Sequence, residues 1–366
     1  MPRIIHLIAA ARPNFMKIAP LYHALKKEAA WATPVIVHTG QHYDYSMSAA
    51  FFNDLGLPDP DYNLEIGSGT HGQQTAGVMV AYERLCQEAR PDWVVVVGDV
   101  NSTAACALVA KKMWLPLAHL EAGLRSRDRT MPEEINRLVT DSISDLLWTP
   151  SEDADENLRN EGVSHERIVR VGNIMIDSYE LVRPIIEQVD VAADFGIEAG
   201  RYGIVTLHRP SNVDRREVLA RLVNDLVKVA QDAPLIFAVH PRTAARLEEF
   251  NLRSTLAAAP HIRLTEPMSY IRFMALVRGA RFVITDSGGV QEETTYLDIP
   301  CLTLRDTTER PITLTQGSNR LVKPERLASA ISDVLSGRWQ HGTRPAFWDG
   351  RTAGRVVESL MRVCAA

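Results

Sequence analysis

Three acidic segments follow apolar runs of the chain and could supply general acids or bases. Asp99 comes after the run WVVVV, Glu121 follows the next apolar run, and Glu133 and Glu134 lie in the loop and helix after that. Burial and mutual repulsion in one crevice raise the pKa of a carboxyl group toward the range needed for proton transfer. The pattern therefore favours acid–base chemistry at the carboxyl ends of neighbouring strands.

Each of these acids also has a purely structural explanation. Asp99 could cap a helix that starts near Asn101, and Glu121 could form an ion pair with Arg125. The occurrence of several acids at adjacent strand ends favours the catalytic interpretation over these alternatives.

A second segment, Thr285–Glu293 with the letters TDSGGVQEE, is typical of a phosphate-binding turn. It follows an apolar run and leads into a helix predicted to begin near Val290. Two adjacent glycines let backbone amides approach a diphosphate closely, and helix N-termini attract anions. Arg310, in the segment RDTTERPIT beside another strand end, strengthens the prediction.

Cations and histidines follow other strands. Arg12 and Lys17 lie at the start of the first helix, where they could bind an acid or a phosphate. His208 and Arg209 follow a strand of the second half and would face the same cleft from the opposite side, while His240 ends the next strand. A capping or core histidine and a solvated loop are the structural alternatives.

The elements that position these residues are short β-rich runs alternating with segments of helical period, a pattern typical of parallel sheets covered by helices. The chain contains eleven such runs: Ile4–Ala10, Thr33–Thr39, Trp93–Gly98, Leu117–Leu120, Leu146–Thr149, Ile168–Val171, Tyr202–Thr206, Leu235–Val239, Ile262–Leu264, Phe282–Thr285 and Cys301–Leu304. The helical segments include Ile18–Glu28, Gln74–Glu88 and Thr103–Met113.

The chain is long enough for two domains. We predict an α/β protein with two doubly wound, Rossmann-like domains and a ligand cleft between them. The first domain takes residues 1–172, with a C-terminal helix at 350–366 packing back on it, and the second takes residues 173–349.

Composition restricts the function further. The 366 residues are 46% hydrophobic and carry a net charge of −5, so no nucleic-acid or membrane partner is indicated and a small molecule is the expected ligand. Four scattered cysteines and the lack of a cleavable leader pattern favour the cytoplasm. There is no HExxH, Cys/His cluster or GxGxxG motif, so we predict no metal and no cofactor, and NAD is not implied.

Six segments in series resemble the signature motifs of the non-hydrolysing UDP-N-acetylglucosamine 2-epimerases. They are ARPNFMKIAPL, GDVNST, HLEAGLRS, PEEINR, TDSGGVQEE and RDTTERP, and the resemblance runs from residue 3 to about residue 325. It implies a GT-B fold, usually in a homodimer. It also implies reversible interconversion of UDP-N-acetylglucosamine and UDP-N-acetylmannosamine for cell-surface polysaccharide synthesis, through elimination of UDP to 2-acetamidoglucal and re-addition.

The resemblance assigns roles by motif position. Asp99, Glu121, Glu133 and His208 match the catalytic residues of the family, and Asp99 or Glu121 is the leading candidate for removing the C2 proton. The positions matching or expected at the substrate site are Arg12, Lys17, Arg209, His240, Phe273, Ser287, Gly288, Gly289, Glu293 and Arg310. Among these, Glu293 is expected on the ribose, Phe273 near the uracil, and the glycine turn with Arg310 on the phosphates.

The chain departs from many bacterial members of this family at two positions. Asn14 replaces a glutamate of the first loop, and Pro210 replaces an arginine associated with activation by a second substrate molecule, although Gln41 and His42 keep part of that surface. We therefore expect weak or absent activation by UDP-N-acetylglucosamine. The changes also leave room for a modified substrate such as a UDP-2,3-diacetamido sugar or its uronic acid.

Other functions fit parts of the pattern. A GT-B glycosyltransferase would need the same nucleotide site, but the acidic cluster would be surplus to it. A hydrolysing epimerase would release free N-acetylmannosamine, and a non-catalytic sugar-nucleotide sensor would have no use for the three acids and His208. The epimerase interpretation accounts for all of these residues together.

Overall fold

The computed structural model describes residues 2–40, 52 and 54–365. The chain forms two compact units, which we call unit 1 (Met1–Leu181 with Ala346–Ala366) and unit 2 (Val182–Pro345). The domain bounds expected from the sequence, 1–172 with 350–366 and 173–349, lie close to this division and stay a prediction.

Unit 1 contains a parallel sheet in the order β3-β2-β1-β4-β5-β6-β7. Its strands are β1 Arg3–Ala9, β2 Ala32–His38, β3 Tyr62–Asn63, β4 Trp93–Val97, β5 Leu117–Leu120, β6 Leu146–Thr149 and β7 Ile168–Arg170. The central strands are apolar on both faces because helices cover both sides of the sheet. The strand order reverses direction between β1 and β4, and ligands of doubly wound folds bind outside the strand ends at such a point.

Unit 2 contains a second parallel sheet in the order β10-β9-β8-β11-β12-β13. Its strands are β8 Gly203–Thr206, β9 Leu235–Ala238, β10 Ile262–Thr265, β11 Phe282–Thr285, β12 Cys301–Thr303 and β13 Asn319–Leu321. Here the reversal falls between β8 and β11, the strands that precede His208 and the glycine turn.

The α-helices of the described part connect these strands. In unit 1 they are α1 Arg12–Lys27, α2 His71–Glu88, α3 Asn101–Lys112, α4 Pro132–Ile143, α5 Glu152–Asn160, α6 Ile174–Ile186, which runs into unit 2, and the terminal α16 Thr352–Ala365. In unit 2 they are α7 Val191–Asp194, α8 Pro210–Val213, α9 Arg216–Asp232, α10 Pro241–Glu249, α11 Arg253–Ala257, α12 Tyr270–Gly279, α13 Gly288–Leu297, α14 Ile312–Thr315 and α15 Leu327–Leu335. No helix of the described residues is long and apolar enough to cross a membrane.

The C-terminal segment belongs structurally to unit 1. Helix α16 packs against α1, and Trp348 is buried with its indole N–H donating to the Pro150 carbonyl at 3.0 Å. Asp177 caps α16, since its two oxygens accept from the amides of Thr352 and Ala353 at 3.1 and 2.8 Å. The terminal helix is thus held by both apolar packing and a buried carboxylate.

The α/β class predicted from the sequence is confirmed, and every predicted strand lies within one residue of an observed one. Strands β3 and β13 were not predicted, because two or three residues without an apolar run give no periodic signal. Helix α13 begins at Gly288 rather than near Val290, so both glycines lie in its first turn.

Candidate functional site

The carboxyl edge of the unit 1 sheet brings the first two predicted acids side by side. Strands β4 and β5 are neighbours in register, with Val97 opposite Leu120. Asp99 leaves the sheet two residues after Val97, and Glu121 leaves it directly after Leu120. Parallel pairing therefore places both acids at one edge of the sheet.

Glu121 forms a buried ion pair with Lys17, which reaches it from α1. The carboxylate and the ammonium group belong to residues that are 4% and 8% exposed. Glu121 also adopts a left-handed backbone conformation with φ of 74°, which is strained for a residue with a side chain. Strained backbone conformations of this kind cluster at functional sites in proteins. The alternative of a Glu121–Arg125 pair is wrong, since Arg125 pairs with Asp141 and Glu161 instead.

Gly98 makes room for this ion pair. Its φ is +67°, and a Cβ added there would lie 3.1 Å from Lys17 Nζ and 3.3 Å from Glu121 Oε2. The backbone conformation thus favours glycine, and a Cβ would crowd the two charged groups.

Asn14 connects the start of α1 to the carboxyl edge of the unit 1 sheet by hydrogen bonds. Its Nδ2 donates to the Val97 carbonyl at 3.1 Å, and its Oδ1 accepts from the Ala11 amide at 3.1 Å. The residue that replaces the family's glutamate is therefore buried and serves the local structure. Arg12 begins α1, and its side chain lies outside the described part of the chain.

Asp99 is held by α4. Its Oδ2 lies 2.5 Å from Nη2 of the buried Arg137, and its carbonyl accepts from Asn136 Nδ2 at 2.9 Å. The side chain of Asp99 is 27% exposed, so it remains accessible while paired. The capping alternative is wrong, because Val100 is the N-cap of α3 and no side chain caps that helix.

The two glutamates at the start of α4 differ in environment. Glu134 is buried and accepts from the amides of Ser126 and Arg127 at 2.8 and 3.0 Å, which shapes the loop after β5. Glu133 is exposed in the first turn of the same helix. Glu133 is therefore the one of the pair that solvent and a ligand can reach.

The unit 2 sheet carries an Asp–His pair at its reversal point. His208 Nδ1 lies 2.8 Å from Oδ1 of Asp286, which follows β11 and is completely buried. Asp286 also accepts from the Arg209 amide at 2.9 Å and from Asn212 Nδ2 at 3.0 Å. Burial alone would raise the pKa of Asp286, but His208 and these donors outweigh burial and hold the pKa below its ordinary value.

This carboxylate orients the histidine. Since Asp286 is ionised, it accepts the Nδ1 proton of His208 and leaves Nε2 for a ligand, as in catalytic Asp–His pairs. The His240 ring lies 5.3 Å from that of His208, and its Nδ1 accepts from the Arg242 amide at 3.2 Å. Burial lowers the pKa of His240, which favours the neutral ring.

The glycine turn meets a buried ion-pair chain. A Cβ on Gly288 would lie 2.7 Å from Glu309 Oε1 and 2.9 Å from Arg310 Nη1, whereas one on Gly289 would meet nothing within 4 Å. Arg310 contacts Glu309 at 2.6 Å and Glu292 at 2.8 Å. The guanidinium group thus lies beside the N-terminus of α13, where free amides favour an anion.

Further along α13, Glu293 is buried and holds a proton. Burial raises its pKa from 4.5 to about 8, the effect of burial exceeding that of a hydrogen bond from Tyr270, and the charge of Glu292 raises it further. Phe273, one turn along α12 from Tyr270, is half-buried. Ser287 is the N-cap of α13, with its amide donating to Thr285 Oγ1 at 3.0 Å.

Several supporting residues were missed from the sequence. Gln291 accepts from Thr308 Oγ1 at 2.8 Å and from Asn319 Nδ2 at 3.0 Å, which ties α13 to the loop after β12 and to β13. Asp286 and Arg137 were missed as well. Asp286 stands between a strand and a glycine turn, which was an available signal, but no local pattern links Gln291 to Asn319, 28 residues away.

The sequence matches a known family over most of its length. The family model for UDP-N-acetylglucosamine 2-epimerase covers residues 23–361. The chain belongs to this family. The UDP-N-acetylglucosamine 2-epimerase of Methanocaldococcus jannaschii is 42% identical over 97% of this chain and 98% of its own length.

Members with different named substrates are similar to this chain. The UDP-2,3-diacetamido-2,3-dideoxy-D-glucuronate 2-epimerase of Pseudomonas aeruginosa is 37% identical over 97% of this chain and 99% of its own length. A crystal structure of the M. jannaschii epimerase in complex with UDP-GlcNAc and UDP superposes with a TM-score of 0.87, covering 98% of this chain and 99% of that chain at 42% identity. The predicted GT-B fold and family are therefore confirmed.

Proposed function

We propose that this protein catalyses the reversible C2 epimerisation of UDP-N-acetylglucosamine to UDP-N-acetylmannosamine. Its relatives in the family bear the name of this isomerase, and one of them was crystallised with UDP-GlcNAc and UDP. The observation that carries the proposal is the pair of carboxylates, Asp99 and the strained Glu121, at the carboxyl ends of the neighbouring strands β4 and β5.

The proposed reaction proceeds through elimination. A base removes the C2 proton, the C–H electron pair forms the C1=C2 double bond, and the C1–O bond breaks with its electrons leaving on UDP. In the return step a UDP oxygen attacks C1 and an acid delivers a proton to the other face of C2. Two proton carriers on opposite faces of the sugar are therefore required, each able to contribute about 10²–10⁴-fold to the rate.

We assign these proton transfers to Asp99 and Glu121. Both are hydrogen-bonded to a cation, Arg137 and Lys17 respectively, so each is fixed in direction before substrate arrives. Glu133, exposed at the start of α4, supports them. Single substitutions of Asp99 and Glu121 decide which of the two removes the C2 proton.

We assign the leaving diphosphate to unit 2. Three features favour it there: the first turn of α13 with Gly288 and Gly289, the guanidinium of Arg310 beside it, and His208 oriented by Asp286. Donors fixed in advance stabilise the charge that develops on the departing oxygen.

The remaining substrate contacts are assigned by position in the sequence motifs. We propose Glu293 on the ribose and Phe273 near the uracil. Ser287, Arg209, His240 and the first-helix cations Arg12 and Lys17 complete the proposed set, with Arg12 assigned from the sequence alone.

A second candidate substrate is a UDP-2,3-diacetamido uronic acid. The P. aeruginosa relative named for this substrate aligns with this chain over 99% of the relative's own length. In addition, Asn14 of this chain differs from the glutamate found in many bacterial members. The chemistry at C1 and C2 would be identical, so the acids would keep their roles.

One experiment tests both candidates. The purified protein is incubated in D₂O with each nucleotide sugar and followed by NMR. Deuterium at C2 in both epimers of one sugar identifies the substrate, and the absence of exchange with either would refute the proposed activity. Asp99→Asn and Glu121→Gln should each lower exchange by about 10²-fold or more while UDP affinity stays nearly unchanged.

Regulation and assembly remain proposals from the sequence. Pro210 is the first residue of α8, whereas Gln41 and His42 lie outside the described residues. We propose hyperbolic kinetics without activation by UDP-N-acetylglucosamine, so sigmoidal initial rates would contradict it. The expected cytoplasmic location and homodimer belong to the same proposal, and light scattering on the purified protein tests the dimer.

A further inference from the structure

A buried histidine lies beneath the two acids of unit 1. His119, in the centre of β5, is fully buried. Its Nε2 is 2.8 Å from the carbonyl oxygen of Gly98, and its Nδ1 is 2.6 Å from Oδ1 of Asp141 on α4. Both ring nitrogens therefore face oxygen atoms.

The second oxygen of Asp141 continues the chain of contacts. It lies 2.7 Å from Arg125 Nη1 and accepts from the Gly123 amide at 3.0 Å. Burial would raise the pKa of Asp141, but His119 and Arg125 outweigh burial and hold it below the ordinary value. Asp141 is thus an ionised acceptor shared by three groups.

The oxygen atoms around the ring are acceptors. A carbonyl oxygen and an ionised carboxylate only accept hydrogen bonds, so any donor in these two contacts is a ring nitrogen of His119. Arg125 also pairs with Glu161 at 2.6 Å, so the guanidinium group that holds Asp141 is itself held.

The network joins the two loops that carry the acids. Gly98 immediately precedes Asp99, and Gly123 lies two residues after Glu121. Both glycines have positive φ, and a Cβ on Gly123 would lie 2.4 Å from the Ala154 carbonyl oxygen. The loops are therefore tightly defined, with His119 and Asp141 connecting one to the other.

We propose that His119 is a positioning residue that sets the separation of Asp99 and Glu121. The proposal rests on the function proposed above, because the separation matters only if both acids act at C2. Misplacement of a catalytic group by about 1 Å can lower a rate by about 10²-fold. A positioning role differs from a role in stability alone, because its loss should lower kcat without changing the affinity for substrate.

The test compares two variants of His119 with a matched control. His119→Asn retains a donor toward Asp141 but cannot reach Gly98, whereas His119→Gln restores a donor at the position of Nε2. We expect the kcat of C2 exchange to fall by about 10- to 100-fold in the Asn variant, with KM unchanged, and to recover partly in the Gln variant.

The control is His6→Asn. His6 is also fully buried in a central strand of unit 1, with its Nδ1 3.2 Å from the Tyr82 hydroxyl. Burial lowers its pKa to about 4, so its ring is neutral. We expect a comparable loss of thermal stability in this variant, with kcat unchanged.

Two outcomes overturn the positioning role. One is wild-type kcat in His119→Asn, and the other is an equal loss of kcat in the His6→Asn control. The absence of C2 exchange by the wild-type protein would overturn the proposed function, and the positioning role with it. Normal exchange by the wild-type protein with either of the outcomes above would overturn the positioning role alone.

Discussion

The proton held by Glu293 makes the stability of unit 2 depend on pH in a defined direction. The pKa of this buried carboxyl is raised from 4.5 to about 8. Below about pH 4.5 the folded and unfolded states both hold the proton. Between pH 4.5 and 8 only the folded state holds it, so stability falls by about 1.4 kcal/mol per pH unit. Above pH 8 the loss is complete, at about 5 kcal/mol.

Glu293→Gln should remove this dependence, because a neutral amide replaces the protonated carboxyl and loses nothing as the pH rises. We expect the difference in unfolding free energy between the variant and the wild-type protein to shift by about 4 kcal/mol in favour of the variant from pH 5 to pH 8. Urea unfolding at half-unit steps of pH measures it. Glu266→Gln, at an exposed position of the same unit, is the control and should show no such shift.

Parallel stability curves for the wild-type protein and Glu293→Gln would refute this reasoning. They would mean that the carboxyl is already ionised at neutral pH, and that water or a rearranged partner compensates the burial of its charge.

Three other substitutions test contacts of the site by urea unfolding. Gly288→Ala should lower the free energy of unfolding by about 1–3 kcal/mol, because its Cβ would lie 2.7 Å from Glu309 Oε1. Gly289→Ala should leave the free energy of unfolding unchanged, so equal losses in the two variants would contradict the described packing. Asp286→Asn places an amide group against buried N–H donors, so the free energy of unfolding should fall by about 1–3 kcal/mol. An unchanged free energy of unfolding would contradict the role of the carboxylate as their acceptor. Asp177→Ala removes the cap of α16 and should cost about 1–2 kcal/mol, with faster hydrogen exchange at the two capped amides.

The strands could be predicted because a buried parallel strand is a short apolar run with polar ends. Helix starts were harder. The first turn of α1 contains Pro13 and Asn14, and the polar character of that turn resembles a loop. The segment of helical period was therefore recognised only from Ile18, although Arg12 and Lys17 were expected at the start of the helix. Proline is well tolerated in a first turn, and that preference was the available signal.

The partners of the acids could not be predicted from local spacing. Glu121 lies four residues before Arg125, but its positive φ turns the chain, and its partner is Lys17, 104 residues earlier. His119 gave a weaker signal, a polar residue within an apolar strand. Such a residue indicates buried hydrogen bonds without naming the partner, since Asp141 comes from a helix beyond the next loop.

The return of the last residues to unit 1 has a consequence for biosynthesis. Because Ala346–Ala366 completes unit 1, the N-terminal half emerges from the ribosome without α16, which packs on α1 and depends on Asp177 for its cap. Domains usually fold in the order of synthesis. Here the order is inverted at the end, since all of unit 2 must be translated before the first unit can be finished.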